Sequence, residues 1–296
     1  MNSSTKRLIF VILSLLAVYV VWGSTYLALV FGLEGFPPFV LNGIRFLIAG
    51  VILFLYARAK GLDLPTGRQW WNAGRVGVLL LVGGVGLVTI AEDLGVGSGL
   101  AATAIAVMPL WAAVMGGLFG SWPRRLEWVG LVIGFAGAVV LAAEGDFQAT
   151  RTGAILMVLA PLFWAFGSVW GKRLSLPSSA MTTAAQLLVG GVVMLVLGPL
   201  RGERMDGVPE VGAWLALAYL TILGSVVAYS AYIYLLKEVR PALATSYAYV
   251  NPVVAVILGT TLGGEILTGP AYLALPMILA GVAFVTLGSR APRITT

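Results

Sequence analysis

The sequence predicts an all-α integral membrane protein in which ten transmembrane helices form two inverted-topology repeats of five. Three observations predict this fold: an apolar composition, ten stretches long enough to span a bilayer, and an internal repeat. Of the 296 residues, 59% are hydrophobic and only 10% are charged, and the mean hydropathy is +0.98. A soluble domain carries about 25% charged residues, so this chain has too little polar surface to remain in water.

Ten apolar stretches approach the roughly 20 residues that a helix needs to cross a bilayer. They cover residues 8–31, 38–57, 71–91, 98–121, 126–143, 153–171, 178–200, 212–235, 241–262 and 270–288. Short connections that contain Pro, Gly and charged residues separate them. The first stretch is much longer than the ~7–15-residue apolar region of a signal peptide, so we interpret it as an uncleaved transmembrane helix.

Two parts of the sequence repeat each other. A constant shift of 143 positions aligns features of residues 97–122 with those of residues 240–265. We therefore expect a first five-helix repeat in residues 1–148 and a second in residues 149–296. Because five is an odd number, the second repeat must lie upside down relative to the first. Inverted repeats are typical of secondary transporters, whose substrates bind near the bilayer midplane at the repeat interface.

The charges of successive connections alternate, and this pattern predicts the orientation. With the N-terminus in the cytoplasm, most of the 18 Lys and Arg residues fall on the inner side, and most of the 12 acidic residues fall on the outer side. An excess of Lys and Arg in cytoplasmic loops is what determines orientation. We therefore expect both termini in the cytoplasm, and we attribute the net charge of +6 to orientation and not to nucleic-acid binding.

Several classes of chemistry lack the residues they need. The chain has no Cys and no His, which excludes disulfides, thiol catalysis and Cys/His metal sites. The string nearest to a P-loop, residues 167–173, has three residues between its glycines instead of four and lacks the Ser or Thr that binds magnesium. No pair of acidic side chains lies within a span, which disfavours a membrane enzyme. We expect no metal and no cofactor, and the bilayer and a small-molecule substrate as the partners.

Arg45 is the one charged residue well inside a predicted span, about seven residues from its outer end. A charge at such depth costs roughly 2.5–3.5 kcal/mol on insertion scales, so we expect it to face a wet cavity or a partner. Two interpretations remain open. Arg45 is either a counter-charge for an anionic group of the substrate, or a structural residue bonded to backbone carbonyls or to Glu92 and Asp93. Its repeat equivalent, Gln186, is uncharged and fits either interpretation.

Aromatic and small polar side chains recur three or four positions apart in several spans, which places them on shared helix faces. Polar groups in a bilayer favour the protein interior over lipid. We therefore predict that these side chains, together with Arg45 and Gln186, line a central substrate cavity. They are Trp22, Thr25, Tyr26, Trp164, Ser168, Tyr229, Tyr232, Tyr247 and Asn251.

A pair of glycines recurs at the repeat shift. Gly116 and Gly120 of the fourth span align with Gly259 and Gly263 of the ninth. Glycines four positions apart let two helix backbones approach closely. We predict a symmetric contact between these two spans, formed either within one chain or between two chains. The sequence therefore leaves open whether the protein is a monomer or a homodimer.

The acidic residues lie outside the predicted spans or at their ends. Carriers driven by protons or sodium usually hold an acidic residue deep in a span, so tight ion coupling is not expected. Three acidic residues near the outer ends of spans remain as candidates for ion coupling or gating: Glu92, Asp93 and Glu265.

Several strings resemble the EamA family of the drug/metabolite transporter superfamily. They include WGSTYLA from Trp22, WAFGS from Trp164, YVNPVVAV from Tyr249 and LGGEILT from Leu262. The resemblance covers almost the whole chain and occurs in both halves. It implies a ten-helix bacterial inner-membrane permease that exports amino acids, toxic compounds or other small metabolites, with a central cavity formed by both halves.

We therefore expect an exporter that works by alternating access between two inverted halves. The expected substrates are small zwitterionic, aromatic or drug-like molecules, with Arg45 near the carboxylate. The alternative function is a lipid flippase, or a membrane-embedded subunit that transports no metabolite by itself.

Overall fold

The computed structural model describes residues 3–96, 101, 105–142, 150–205, 207–262 and 269–289. All regular secondary structure in these residues is helical. The helices are α1 (Ser3–Leu33), α2 (Pro38–Ala59), α3 (Gly67–Asp93), α4 (Met108–Leu118), α5 (Arg125–Ala142), α6 (Arg151–Gly171), α7 (Ser179–Leu200), α8 (Val211–Glu238), α9 (Tyr247–Leu262) and α10 (Gly269–Ser289). A single helical turn, Pro241–Ala244, precedes α9.

Each predicted span overlaps one of these helices. Within the described residues, seven helices are long and apolar enough to cross a membrane, and Met108–Leu118 is a shorter apolar helix. The ends of a helix differ from those of its predicted span where a capping interaction sets the first residue of the helix. α3 begins before its predicted span because Thr66 and Gln69 form a capping box, in which each side chain accepts a hydrogen bond from the main-chain amide of the other residue. The chain is a helical membrane protein, as its composition predicts.

Two helices contain a π-helical segment near their middle. The segments are Val78–Gly86 in α3 and Leu220–Tyr229 in α8, and they occupy equivalent positions in the two predicted repeats. π-Helical turns are rare and frequently mark functional sites. The hydropathy of these stretches predicts a helix but not its type, so the sequence analysis did not anticipate them.

The helices pack in pairs that the predicted repeat relates to one another. α2 packs along α7 and α5 packs along α10, so each of these helices contacts its own equivalent in the other repeat. α1 packs against α8 and α9, and its equivalent, α6, packs against α3 and α4. The contacts of the first repeat are thus mirrored by those of the second.

Glycines permit the closest of these contacts. A Cβ atom on Gly281 of α10 would lie 2.6 Å from the Cα of Gly134 of α5, and a Cβ on Gly130 would lie 2.5 Å from the carbonyl oxygen of Gly281. At such distances a larger residue would overlap the neighbouring backbone. Small residues therefore allow α5 and α10 to touch, as is common between membrane helices.

Within one chain, Gly116 and Gly120 do not form the predicted contact with the ninth span; a contact between two chains remains a prediction. α4 ends at Leu118, and Gly120 lies beyond it with φ of +83°. The Gly120 amide donates to the Gly117 carbonyl, which closes the end of the helix. A Cβ on Gly120 would meet nothing within 4 Å, and one on Gly116 would meet only the Ser121 carbonyl of the same turn.

The second repeat contains the equivalent pair, Gly259 and Gly263, and the structure describes one of the two residues. Gly259 lies within α9, and Gly263 lies outside the described residues.

Candidate functional site

A cavity of about 90 Å³ lies between the two predicted repeats. Residues of α1, α2, α3 and α4 from the first predicted repeat and of α6, α8 and α9 from the second line it. Most of the residues predicted to bind substrate lie on its wall: Trp22, Thr25, Tyr26, Arg45, Trp164, Tyr229, Tyr247 and Asn251. Eight of the eleven side chains predicted to line a substrate cavity thus lie together on one cavity wall.

One wall of the cavity is aromatic. Trp22 contacts its repeat equivalent Trp164 edge-on, with 5.5 Å between ring centroids. The Trp22 ring also lies 4.7 Å from that of Tyr247 and 5.2 Å from that of Tyr232. The Trp22 indole nitrogen donates to the Gly224 carbonyl at 3.0 Å, and that of Trp164 donates to the Tyr232 hydroxyl at 2.9 Å. Hydrogen bonds and ring contacts thus set the orientation of both indoles in this state.

A second cavity, of about 390 Å³, reaches Lys172 and Lys237 at the predicted cytoplasmic end. Ser168 and Gln186 line this cavity and do not line the first one, contrary to the prediction. Both are tied to the aromatic wall. The Ser168 and Tyr232 hydroxyls are 2.6 Å apart, and the Tyr229 hydroxyl donates to the side-chain oxygen Oε1 of Gln186 at 2.7 Å.

Tyr232 also differs from its prediction, because it lines neither cavity. It is fully buried and contacts Trp164 on one side and Ser168 on the other. Its place is therefore in the partition between the two cavities.

Arg45 is 5% exposed and forms part of the cavity wall. Its Nε donates to the Ser225 hydroxyl at 2.7 Å, and its Nη1 donates to the Asn42 side-chain oxygen at 3.3 Å. Both partners are neutral. Among the described residues no acidic side chain pairs with Arg45, so neither Glu92 nor Asp93 supplies the structural bond that one interpretation required. The positive charge of Arg45 therefore remains available to an anion in the cavity.

The sequence analysis missed Gly224 and Ser225, which lie in the π-helical segment of α8 and line the cavity. Gly224 supplies the carbonyl that holds Trp22, and Ser225 supplies the hydroxyl that holds Arg45. The available signal was their position four and five residues before Tyr229, near the same helix face.

Replacing Gly224 with alanine is expected to displace Arg45. The added Cβ would lie 2.8 Å from Arg45 Nη2 and 3.3 Å from the Thr25 methyl group. The end of a flexible side chain can move, so the protein should still fold, but its affinity for an anionic substrate should fall by about tenfold. Transport assays at varied substrate concentration would measure this as a raised KM. Gly212→Ala in the same helix is the matched control, because its Cβ would meet nothing within 4 Å.

Asn251 links the cavity wall to α1. In the orientation that satisfies both ends of its amide, the nitrogen donates to the main-chain carbonyls of Tyr247 at 3.1 Å and Tyr19 at 3.3 Å. The Asn251 and Tyr26 side chains both line the cavity. Asn251 is buried, so these bonds fix the relative position of α1 and α9 at the cavity.

The three acidic candidates for coupling or gating have different positions. Both carboxyl oxygens of Glu92 are buried and have no hydrogen-bond partner. Asp93 is exposed. Glu265 lies outside the described residues. The structure therefore singles out Glu92 as the acidic side chain in an unusual environment.

Ion pairs join the two predicted repeats at the predicted cytoplasmic end. Arg7 pairs with Glu238 at 2.5 Å, and Arg240 pairs with the fully buried Glu127 at 2.7 Å. Burial, and secondly the charge of Arg240, lower the pKa of Lys172, which follows α6, to about 8. Together with the aromatic wall, these contacts separate the first cavity from this end of the bundle.

Comparison with known proteins identifies the family. A profile of the EamA-like transporter family matches residues 9–143 and, a second time, residues 151–287. The chain belongs to this family. The uncharacterized inner membrane transporter YedA of Escherichia coli K12 is 46% identical over 275 residues, which cover 93% of this chain and 90% of YedA. Both the family and this relative establish a multi-pass membrane transporter of the inner membrane.

Two further similarities extend over nearly the whole EamA-like chain. A probable amino-acid metabolite efflux pump of Salmonella typhimurium is 25% identical, with coverage of 94% of this chain and 95% of the pump. One crystal structure shares the fold with a TM-score of 0.78 at 23% identity, and the match covers 97% of this chain and 99% of the other. The profile match, over both halves of the chain, confirms the resemblance of the sequence motifs to the EamA family.

Proposed function

We propose that this EamA-like transporter exports small carboxylate-bearing metabolites, such as amino acids and aromatic compounds, by alternating access of two inverted five-helix halves. The observation that carries the proposal is Arg45, a buried cation on the wall of a cavity between the halves that has no acidic partner among the described residues. A buried charge is costly unless something pairs with it. A substrate carboxylate is the natural partner.

The rest of the cavity wall suits a zwitterion or an aromatic ring. Trp22, Trp164 and Tyr247 present ring faces and edges to the cavity. An ammonium group binds favourably over such rings, and an aromatic substrate packs against them. An amino acid would place its carboxylate at Arg45 and its ammonium group or aromatic side chain against these rings. The printed name of the Salmonella relative, an amino-acid metabolite efflux pump, supports the same class.

The size of the cavity favours a cycle that includes a wider state. Its volume of about 90 Å³ is below the roughly 300–1,000 Å³ of usual small-molecule sites. The partition of Trp164, Tyr229 and Tyr232 separates it from the second cavity. We infer that rearrangement of this partition, together with the ion pairs at the predicted cytoplasmic end, opens one cavity to the other and passes the substrate.

Flux through the purified protein tests the proposal. Metabolites in the medium and in the cells of an overproducing strain would first identify a substrate. Proteoliposomes loaded with that compound in labelled form should release it with saturation kinetics, whereas protein-free liposomes should not. Scrambling of a labelled lipid without any metabolite flux would support a flippase instead and would contradict the proposal.

We further propose that all ten helices cross the membrane, with both termini in the cytoplasm. Because the chain has no cysteine, single cysteines can report the side of each connection directly. Leu64, 57% exposed between α2 and α3, and Val208, 91% exposed between α7 and α8, are suitable positions. In spheroplasts, a membrane-impermeant maleimide should label Val208→Cys at once and Leu64→Cys only after permeabilisation. The reverse pattern would invert the topology.

A further inference from the structure

Glu92 is a buried acid that the proposed substrate site does not use. It lies at the second-last position of α3, and both of its carboxyl oxygens are buried without a hydrogen-bond partner. No other Asp or Glu among the described residues has both oxygens in this condition. Glu203 differs, because only its Oε1 lacks a partner. Its Oε2 accepts hydrogen bonds from the main-chain amides of Phe39 and Val40 at the start of α2.

An ionised carboxylate without a partner is very costly inside a protein, and such a group stays neutral by holding its proton. In this state Glu92 is therefore a neutral acid. It can release its proton only in a state where water, an ammonium group or a hydrogen-bond donor reaches it. A group that holds a proton in one state and loses it in another links proton binding to the change between the two states.

Glu92 is connected to the cavity through Tyr26. Tyr26 packs against the buried cluster that contains Val88 and Ala91, in the last two turns of α3, and Val88, one helical turn before Glu92, lines the cavity. Tyr26 and Asn251 both line the cavity. A substrate that binds at these two side chains, or widens the cavity beside them, therefore changes the surroundings of the Glu92 carboxyl group.

Among the residues that the structure describes, no cation forms an ion pair with Glu92. The outer part of α3 packs against α6, α2 and α1. Arg151 of α6 and the neighbouring Asp93 are exposed, and Arg45 of α2 donates to Ser225 and Asn42. Tyr26 of α1 packs against the last turns of α3.

We propose that Glu92 is a proton-binding site whose proton is exchanged against the exported substrate. The inference rests on the proposed transport function and adds its coupling ion. The sequence alone argued against tight coupling, because Glu92 lies at the end of its span. Against that expectation stands the position of the carboxyl group, because both Glu92 oxygens are buried without a hydrogen-bond partner in the part of the chain that the structure describes.

The test is accumulation driven by a pH gradient. Proteoliposomes with an acidic interior should take up external substrate against its gradient, and one pH unit should give about tenfold accumulation for an exchange of one proton per substrate. Glu92→Gln should exchange labelled for unlabelled substrate without a gradient but should not accumulate it. Asp93→Asn, at the exposed neighbouring position, should accumulate substrate like the wild type.

The outcomes separate the two proposals. Accumulation by Glu92→Gln at the wild-type level, or wild-type flux that ignores the pH gradient, would overturn the coupling role and leave the transport function standing. Absence of any substrate flux from the wild type would overturn both.

Chemical modification of the wild type gives a second measurement if Glu92→Gln does not fold. Dicyclohexylcarbodiimide modifies protonated carboxyl groups in apolar surroundings, and mass spectrometry locates the product. Modification should occur at Glu92, decline as pH rises, and decrease when substrate is present. Unmodified Glu92 under these conditions would overturn the inference.

Discussion

Replacing Arg45 with glutamine is expected to lower the transport of a carboxylate substrate by between about tenfold and a hundredfold. A hydrogen bond to a charged group contributes roughly 1.5–3 kcal/mol, and Arg45 is the cation on the cavity wall that has no acidic partner among the described residues. The loss should appear as a reduced kcat/KM in proteoliposomes. An amide analogue of the same substrate, which lacks the negative charge, should be transported equally by both proteins.

Arg58→Gln is the matched control for Arg45→Gln. Both residues lie on α2, but Arg58 is exposed near the other end of the helix and donates only to the Leu62 carbonyl. Its replacement should leave transport unchanged. Arg45→Lys should recover only part of the activity, because a single ammonium group cannot donate to Ser225, Asn42 and a substrate carboxylate with the geometry of the guanidinium group. Full activity of Arg45→Gln toward a carboxylate substrate would remove Arg45 from the binding site.

The sequence was a reliable guide where a residue stands out against its surroundings. Arg45 in an apolar stretch and Trp22 with its repeat equivalent Trp164 are conspicuous, because charged and indole groups in mid-span need a reason to be there. The structure places all three on the cavity wall. The helical class and the approximate helix positions follow from hydropathy in the same way.

Small residues were the least predictable. Gly224 and Ser225 hold Trp22 and Arg45, but Gly and Ser are common in membrane helices and reveal nothing by their identity. Their role depends on the π-helical segment, which follows from hydrogen-bond register and not from hydropathy. The spacing of Gly120 predicts a glycine that packs against another helix, but within one chain Gly120 ends a helix with a positive φ. Both kinds of glycine can occur at the same spacing in a sequence.

Burial at the ends of helices was also beyond the sequence. Glu92 was placed at a membrane boundary because the apolar stretch ends there. The apolarity of a stretch indicates how favourably it enters lipid. The burial of the Glu92 carboxyl group results instead from the packing of α3 against other helices. The sequence of a single helix does not show which distant helix packs against it.

Replacing Gly281 with valine is expected to destabilise the folded protein by at least about 3 kcal/mol, at or beyond the upper end of what overpacking usually costs. A Cβ at this position would lie 2.6 Å from both the Cα and the main-chain nitrogen of Gly134, and 2.8 Å from the Gly130 carbonyl oxygen. These are backbone atoms, which cannot rotate away as a side chain can. α5 and α10 would have to separate along their contact.

Thermal unfolding in detergent and the amount of protein recovered from membranes would measure the effect, with Gly212→Val as the control. Gly212 lies in the first turn of α8, where an added Cβ would meet nothing within 4 Å, so that variant bears the cost of a β-branched residue in a helix without any overlap. Equal stability of the two variants would mean that α5 and α10 do not approach as closely as described. A large difference would show that the close backbone contact between α5 and α10 stabilises the folded protein.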